Sequence, residues 1–192
     1  METTIPHILD ERVIRGRAVV NTLTIVGASI LIALAAQVAI PIPGSPVPLT
    51  LQPMAVLLVG VTLGAWRGSA AAALYLLEGI SGLPVFTQGH GGPVWLIAAP
   101  TAGYLWSYPF AAWLAGFVSQ RGWGSSIVRS VSGMLLALGV IYLGGWSWLV
   151  TLSNTRVAWT IGVAPFLVAD MIKVAIAASL LPYTQRLISR LS

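Results

Sequence analysis

The sequence has no cysteine and very little charge. Without cysteine, disulfides, thiolate metal sites and cysteine nucleophiles are all excluded. Charged residues make up only 8% of the 192 residues, whereas 57% are hydrophobic. This balance is more apolar than the mixed surface that a water-soluble domain needs. The composition therefore indicates an integral membrane protein.

The scarcity of charge leaves three stretches without any charged residue, at 18–66, 79–120 and 130–155. Each is longer than the roughly 20 apolar residues that cross a bilayer. We predict an all-α fold, a polytopic bundle of six transmembrane helices that forms one domain over residues 1–192. The predicted spans are Val19–Ile40, Pro53–Trp66, Gly68–Ile80, Thr101–Ser119, Ser126–Val150 and Ala164–Leu181. Because the second and third are short, a hairpin that does not fully cross remains an alternative for them.

The arginines predict the orientation of these spans. With an inside N-terminus, eight arginines fall on the inner side and only Arg156 falls on the outer side. The positive-inside rule then places both termini in the cytoplasm, with residues 1–17 as a cytoplasmic segment. The inner arginines are Arg12, Arg15, Arg17, Arg67, Arg121, Arg129, Arg186 and Arg190.

The sequence lacks the residues that several classes of function require. The two histidines, His7 and His90, are far apart and no His, Asp or Glu cluster has ligand spacing, so we predict no metal site. No GxxxxGK[ST] motif is present, so energy from ATP would have to come from another subunit. The arginines form no aromatic-interleaved stripe for nucleic acid. We therefore expect neither a cofactor nor a nucleic-acid partner.

An acid and the only lysine lie together in the last predicted span. Asp170 and Lys173 are three residues apart, so on a helix they project from one face within pairing distance. Charges at membrane depth are costly and usually mark a functional site. Pro165 suits a first helical position, which would place Asp170 one to two turns below the outer surface. The alternative is a structural ion pair that only holds two helices together.

A glycine-rich loop follows the third predicted span. Residues 83–93 read Leu-Pro-Val-Phe-Thr-Gln-Gly-His-Gly-Gly-Pro, and glycines there allow backbone amides to approach a ligand. The preceding Gly79-Ile-Ser-Gly82 matches the GxSG pattern of rhomboid intramembrane proteases, so an enzymatic function is an alternative to ligand binding. No later span carries a histidine to act as the base, so this match is weak.

Four segments together resemble the BioY family, the biotin-binding S-components of energy-coupling factor (ECF) transporters. They contain Pro-Val-Pro-Leu-Thr-Leu-Gln at 46–52, Leu-Pro-Val-Phe at 83–86, Pro-Thr-Ala-Gly-Tyr at 100–104 and the Asp170–Lys173 pair. The resemblance implies a prokaryotic cytoplasmic (inner) membrane protein that captures biotin for uptake and is not an enzyme. It also implies an outward-facing pocket beneath the first loop and the glycine-rich loop. The substrate-binding residues it implies are Asp170, Lys173, Gln88, Gly89, Gly91, Gly92, Phe86, Tyr104 and Trp106.

The resemblance also implies partners, namely a transmembrane coupling subunit joined to ATPase subunits, or other copies of the chain. Ser29 and Ala33 are four residues apart in the first span, as are Ala35 and Ala39, and small residues at this spacing let another helix approach closely. Packing inside the bundle is the alternative for this face. Alternatives for the whole protein are an S-component for another vitamin, a structural membrane protein and a rhomboid-like protease.

Overall fold

The structure is a computed structural model that describes residues 4–123 and 126–191, with side chains described for residues 16–123 and 126–179. It is a mostly helical bundle with one short hairpin. The long helices are α1 (Thr4–Gln37), α2 (Gln52–Leu63), α3 (Ala65–Ile80), α5 (Ala102–Gln120), α6 (Ile127–Leu152) and α8 (Leu167–Leu191). The short elements are β1 (Ala39–Ile40), β2 (Leu49–Thr50), α4 (Val94–Ile97) and α7 (Thr155–Gly162), with a 3-10 turn at Thr87–Gly89.

Helix α5 lies at the centre of the packing and contacts α2, α3 and α6. Glycines make these contacts close. A Cβ at Gly103 would overlap the backbone of Gly144, and a Cβ at Gly60 would overlap the backbone of Ala112. Helix α6 packs in turn against α7 and α8, while α1 packs against α3 and α2.

The connection between α1 and α2 is a short antiparallel hairpin. Ala39 pairs with Thr50 and Ile40 with Leu49. Four prolines lie between residues 41 and 48, and proline cannot donate a backbone hydrogen bond to a strand partner. The strands therefore stay two residues long, and the rest of the segment is an irregular loop at one end of the bundle.

The break between α2 and α3 lies at Gly64, not around Arg67 as the predicted spans had it. Gly64 has a φ of 83°, a left-handed conformation that glycine adopts without strain. Ala65 N donates to Gln120 Oε1 over 3.4 Å, which fixes this turn against the end of α5. Arg67 and Arg121 are therefore at the same end of the bundle, opposite the hairpin.

The last predicted span, Ala164–Leu181, corresponds to α8 from Leu167 onward, and a separate helix that was not predicted, α7, precedes it. Asn154 starts α7, since its Oδ1 accepts a hydrogen bond from Val157 N at 3.0 Å. A turn then leads to α8, which is bent by 50° from α7. Pro165 lies in this turn and not at the first position of α8, so that placement was wrong. Asp170 consequently lies in the first turn of α8.

Within the described residues, two helical segments are by themselves long and apolar enough to cross a membrane, Gly16–Gln37 and Ile127–Leu152. The bent pair of α7 and α8 makes a third if it is one broken span. Helix α2 has only 12 residues and α3 only 16. The count of six spans therefore stays a prediction. The predicted orientation also uses the arginines at positions 12, 15, 186 and 190, whose side chains are not among those that the structure describes.

Candidate functional site

A cavity of about 260 Å³ opens at the hairpin end of the bundle. This volume is slightly below the roughly 300–1,000 Å³ typical of small-molecule sites. Its walls are mostly apolar and come from the hairpin loop, the glycine-rich loop, α5, α6 and the start of α8. The lining residues are Pro41, Ser45, Pro46, Val47, Pro48, Leu49, Thr50, Gln52, Pro53, Phe86, Thr87, Gln88, His90, Trp95, Pro100, Thr101, Tyr104, Leu105, Tyr108, Ile141, Tyr142, Phe166 and Asp170.

Asp170 is the acid in the cavity wall, and it is only 4% exposed. Its Oδ1 lies 2.8 Å from Lys173 Nζ, so the ion pair predicted from the spacing is present. Its Oδ2 accepts a hydrogen bond from the hydroxyl of Tyr142 at 2.7 Å. The first turn of a helix also favours negative charge. These contacts offset the cost of burying the carboxylate and hold it in one orientation.

Lys173 is held on its other side by the hairpin. Its Nζ donates to the carbonyl oxygen of Thr50 over 2.7 Å as well as to Asp170. An ammonium has three donors, so two are already used. Lys173 is not among the cavity-lining residues. It therefore joins α8 to the hairpin and lies behind Asp170 as seen from the cavity.

A second buried polar group, Gln52, lies at the start of α2 and is 3% exposed. Its Nε2 donates to the hydroxyl of Tyr75 at 2.6 Å, and its Oε1 accepts from Thr87 Oγ1 at 3.2 Å. These bonds connect α2, α3 and the glycine-rich loop. Gln52 and Thr87 both line the cavity, so they add an amide and a hydroxyl to its wall.

The glycine-rich loop is fastened to α1 by Gln37. The Gln37 side chain donates from Nε2 to Phe86 O at 3.2 Å and accepts at Oε1 from Gly89 N at 3.0 Å. Gly92 N donates to Gly79 O over 2.7 Å, and a Cβ at Gly91 would overlap the carbonyl of Leu83. The three predicted glycines therefore shape the loop against its neighbours, and they lie outside the cavity wall. Gln88 does line the cavity, with a φ of 61°.

Two of the three predicted aromatic residues line the cavity. The ring of Phe86 rests on Gly79 and makes an edge contact with Tyr75 at 5.5 Å between centroids. The hydroxyl of Tyr104 donates to Gly162 O at 2.5 Å, which ties α5 to α7. Trp106 lies outside the cavity wall: it is 48% exposed, and its Nε1 donates to Leu96 O at 2.8 Å.

The small residues predicted to bind a partner face into the bundle. Ser29 has no exposed surface, and its hydroxyl donates to Glu78 Oε1 at 2.8 Å. Ala33 is half-buried and packs against the main core. Ala39 lies beyond the end of α1, in β1. This geometry supports the alternative of packing inside the bundle.

The sequence reasoning missed several cavity residues, notably Tyr142, Gln52 and Thr87. Tyr142 lies in a predicted span that otherwise looked generic, yet a tyrosine in an apolar span usually finds a partner for its hydroxyl. Gln52 likewise is a polar residue at the edge of an apolar stretch. Among the side chains that the structure describes, at 16–123 and 126–179, no group of three or more His, Cys, Asp or Glu is placed to hold a metal ion.

Comparison with known proteins assigns the chain to a family. The family model described as the BioY family matches residues 10–190, nearly the whole chain. The chain belongs to the BioY family. A relative from Pyrococcus horikoshii, named a probable biotin transporter BioY, is 39% identical over 142 residues, which cover 74% of this chain and 82% of the relative. The biotin transporter BioY of Rhizobium etli is 36% identical over 166 residues, covering 82% and 88%.

A solved structure shows the same fold as this BioY family member. It is the crystal structure of the S-component for biotin from an ECF-type ABC transporter, with a TM-score of 0.80 and 24% sequence identity. The match covers 89% of this chain and 93% of that chain. Together with the apolar helices, family membership identifies the chain as a multi-pass membrane protein.

Proposed function

We propose that this chain is the biotin-binding S-component of an ECF-type transporter and that biotin occupies the cavity beside Asp170. Support comes from its relatives, which are named biotin transporters and cover most of the chain. The observation that carries the proposal is the buried Asp170, oriented by two donors in the wall of a mostly apolar cavity. The chain is a binding component and not an enzyme.

The chemistry of biotin matches this wall. Its ureido group offers two N–H donors, and an ionised carboxylate has about four lone-pair positions. Tyr142 and Lys173 occupy one position on each oxygen of Asp170, so acceptor capacity remains for the ureido N–H groups. Phe86 and Tyr104 supply apolar surface for the fused rings. Asp170 binds the ureido ring, and Lys173 holds the Asp170 carboxylate in its orientation.

The experiment that tests the proposal is direct binding of labelled biotin to the purified protein. Asp170→Asn replaces an acceptor oxygen with an amide nitrogen. Loss of a charged hydrogen-bond partner typically costs about 1.5–3 kcal/mol, so biotin affinity should fall by roughly ten- to more than a hundredfold. Glu78→Gln is the matched control, because it changes the other membrane-embedded acid, which lies outside the cavity wall. Thermal stability without ligand is measured for both variants.

Tight binding by the parent and Glu78→Gln, with weak binding by a folded Asp170→Asn protein, supports the proposal. Absence of biotin binding by the parent contradicts it. If Asp170→Asn loses stability while the folded fraction binds biotin normally, Asp170 is a structural residue and the site lies elsewhere.

We propose further that both termini are cytoplasmic, that the six-span topology holds, and that the cavity faces outward from a prokaryotic inner membrane. Arg67 and Arg121 are exposed at the end of the bundle opposite the cavity, as the positive-inside rule requires. Since the chain lacks cysteine, a single Thr155→Cys should react with an impermeant thiol reagent on intact cells, whereas Arg121→Cys should not. The reverse labelling pattern contradicts this orientation.

Energy for uptake comes from partner subunits in this proposal, since the chain has no nucleotide-binding loop. The proposed partners are a transmembrane coupling subunit and ATPase subunits. Other copies of the chain are the alternative partner. The outward face of α1 is available for docking, with Leu23, Ile30 and Leu34 at least half exposed. Ser29 and Ala33 lie on the opposite, inward side of that helix.

A further inference from the structure

His90 contributes to the cavity wall, yet none of the contacts assigned above to biotin uses it. Its ring is held in place by the protein alone. Nδ1 lies 2.7 Å from the carbonyl oxygen of Thr87, and the ring stacks on Trp95 with 4.0 Å between centroids. Its backbone carbonyl accepts from Phe86 N at 2.9 Å. The imidazole is therefore positioned before any ligand arrives.

The contact with Thr87 decides which protons the ring carries. A carbonyl oxygen only accepts, so Nδ1 must be the protonated nitrogen. In the neutral ring, Nε2 then has a lone pair and no hydrogen. Nε2 has no hydrogen-bond partner among the described residues. Neutral His90 consequently has a free acceptor at Nε2, and this atom becomes a donor only by taking up a proton.

The distribution of charge leaves His90 as the one group suited to an anion. Asp170 and Lys173 form a pair without net charge, and only the carboxylate of this pair, which cannot donate to an anion, lies in the cavity wall. Residues 38–51 and 81–101, the two loop segments around the cavity, contain no other acidic or basic side chain. The remaining titratable side chains of the wall are Tyr104, Tyr108 and Tyr142, and tyrosine is neutral below about pH 10.

We propose that His90 is a specificity-determining residue for the carboxylate of the ligand, and that binding takes one proton from solution onto its Nε2. The imidazolium then donates from Nε2 to the carboxylate while Nδ1 keeps its bond to Thr87. This inference rests on the proposed function and adds the recognition of the acidic tail to it. The ring end of biotin lies at Asp170 and its tail lies at the glycine-rich loop.

The sign of the pH dependence follows from this coupling. Histidine is the side chain that changes charge between about pH 5 and 8, and the bound carboxylate favours its protonated form. Biotin affinity should therefore be highest near pH 6 and fall by about tenfold by pH 8.5, the range expected for loss of a charge-assisted hydrogen bond.

The test is isothermal titration calorimetry of the purified full chain with biotin and with biotin amide, which lacks the carboxylate charge. Titrations run from pH 6 to 8.5 in two buffers of different ionisation enthalpy. The difference between the binding enthalpies in the two buffers gives the number of protons taken up. We expect uptake of about half a proton per biotin near pH 7, which is what a tenfold change in affinity over this pH range requires, and none for the amide. His90→Gln should bind biotin without proton uptake and with a flat pH profile, while His7→Gln, the other histidine, should behave like the parent.

The outcomes separate the two proposals. Biotin binding that does not depend on pH, or proton uptake that persists in His90→Gln, overturns the role of His90 and leaves the proposed function intact. If the affinities for biotin and for biotin amide change equally with pH, the role of His90 is overturned too, because the proton uptake would then not depend on the carboxylate. Failure of the parent to bind biotin at any pH overturns the proposed function, and this inference with it.

Discussion

The hydroxyl of Tyr142 donates to Oδ2 of Asp170 over 2.7 Å and so joins the middle of α6 to the first turn of α8. Lys173 occupies the other oxygen and reaches the hairpin through Thr50. One carboxylate therefore links three parts of the chain that are far apart in sequence. Its loss or neutralisation should affect both ligand binding and packing, and single substitutions can separate the two effects.

Tyr142→Phe removes the donor to Oδ2 but leaves Asp170 paired with Lys173. A hydrogen bond to a charged group contributes about 1.5–3 kcal/mol, so the unliganded protein should lose about that much stability. Biotin affinity should change by less than tenfold, because a ureido N–H can take the free lone pair. Thermal unfolding with and without biotin measures both quantities. Tyr108→Phe is the control for the stability measurement alone, since its hydroxyl makes no hydrogen bond among the described residues.

Lys173→Met leaves Asp170 buried without its counter-charge. Breaking a buried ion pair by removing one partner typically costs about 3–5 kcal/mol. Because Lys173 supports Asp170 from behind, biotin and biotin amide should lose affinity to the same degree. A loss confined to biotin would instead place Lys173 on the carboxylate. The double variant Asp170→Asn/Lys173→Met should recover part of the lost stability.

Gly79→Ala tests the contact beneath Phe86. A Cβ at Gly79 would overlap the Phe86 ring, which is 2% exposed and lines the cavity. Overpacking of this kind costs about 1–3 kcal/mol, and displacement of the ring should also weaken biotin binding. Gly27→Ala is the matched helical control, because nothing lies within 4 Å of its added carbon. Equal stability of the two variants would show that Phe86 moves aside without cost.

Ala33→Trp tests whether the small residues of α1 pack inside the bundle or bind a partner. Ala33 packs against the core, so the larger ring should lower the thermal stability of the isolated chain by about 1–3 kcal/mol, without any partner present. Leu31→Trp, at a position that is 49% exposed, should be tolerated. Normal stability of Ala33→Trp combined with failure to assemble with partner subunits would restore the partner-binding interpretation.

The sequence predicted the helical class, the approximate extents of α5 and α6, and the Asp170–Lys173 pair, because these depend on local composition and spacing. It did not predict the break at Gly64 or the separate helix α7. The break at Gly64 depends on one left-handed glycine inside a continuous apolar stretch, and α7 begins at an asparagine cap in a polar segment between two predicted spans. The glycines of the loop also suggested contacts with a ligand. In the structure the loop instead bonds to Gln37 and Gly79, and such long-range bonds cannot be recognised from the local sequence.

The Asp170–Lys173 pair has a consequence for the response to membrane voltage. Moving one elementary charge through a potential of 100 mV involves about 2.3 kcal/mol. The pair sums to zero charge at 2.8 Å separation, so a displacement of α8 along the membrane normal moves no net charge at this point. The electric field therefore does no net work on the empty site, whereas loss of either partner leaves a single charge and makes such a displacement voltage dependent.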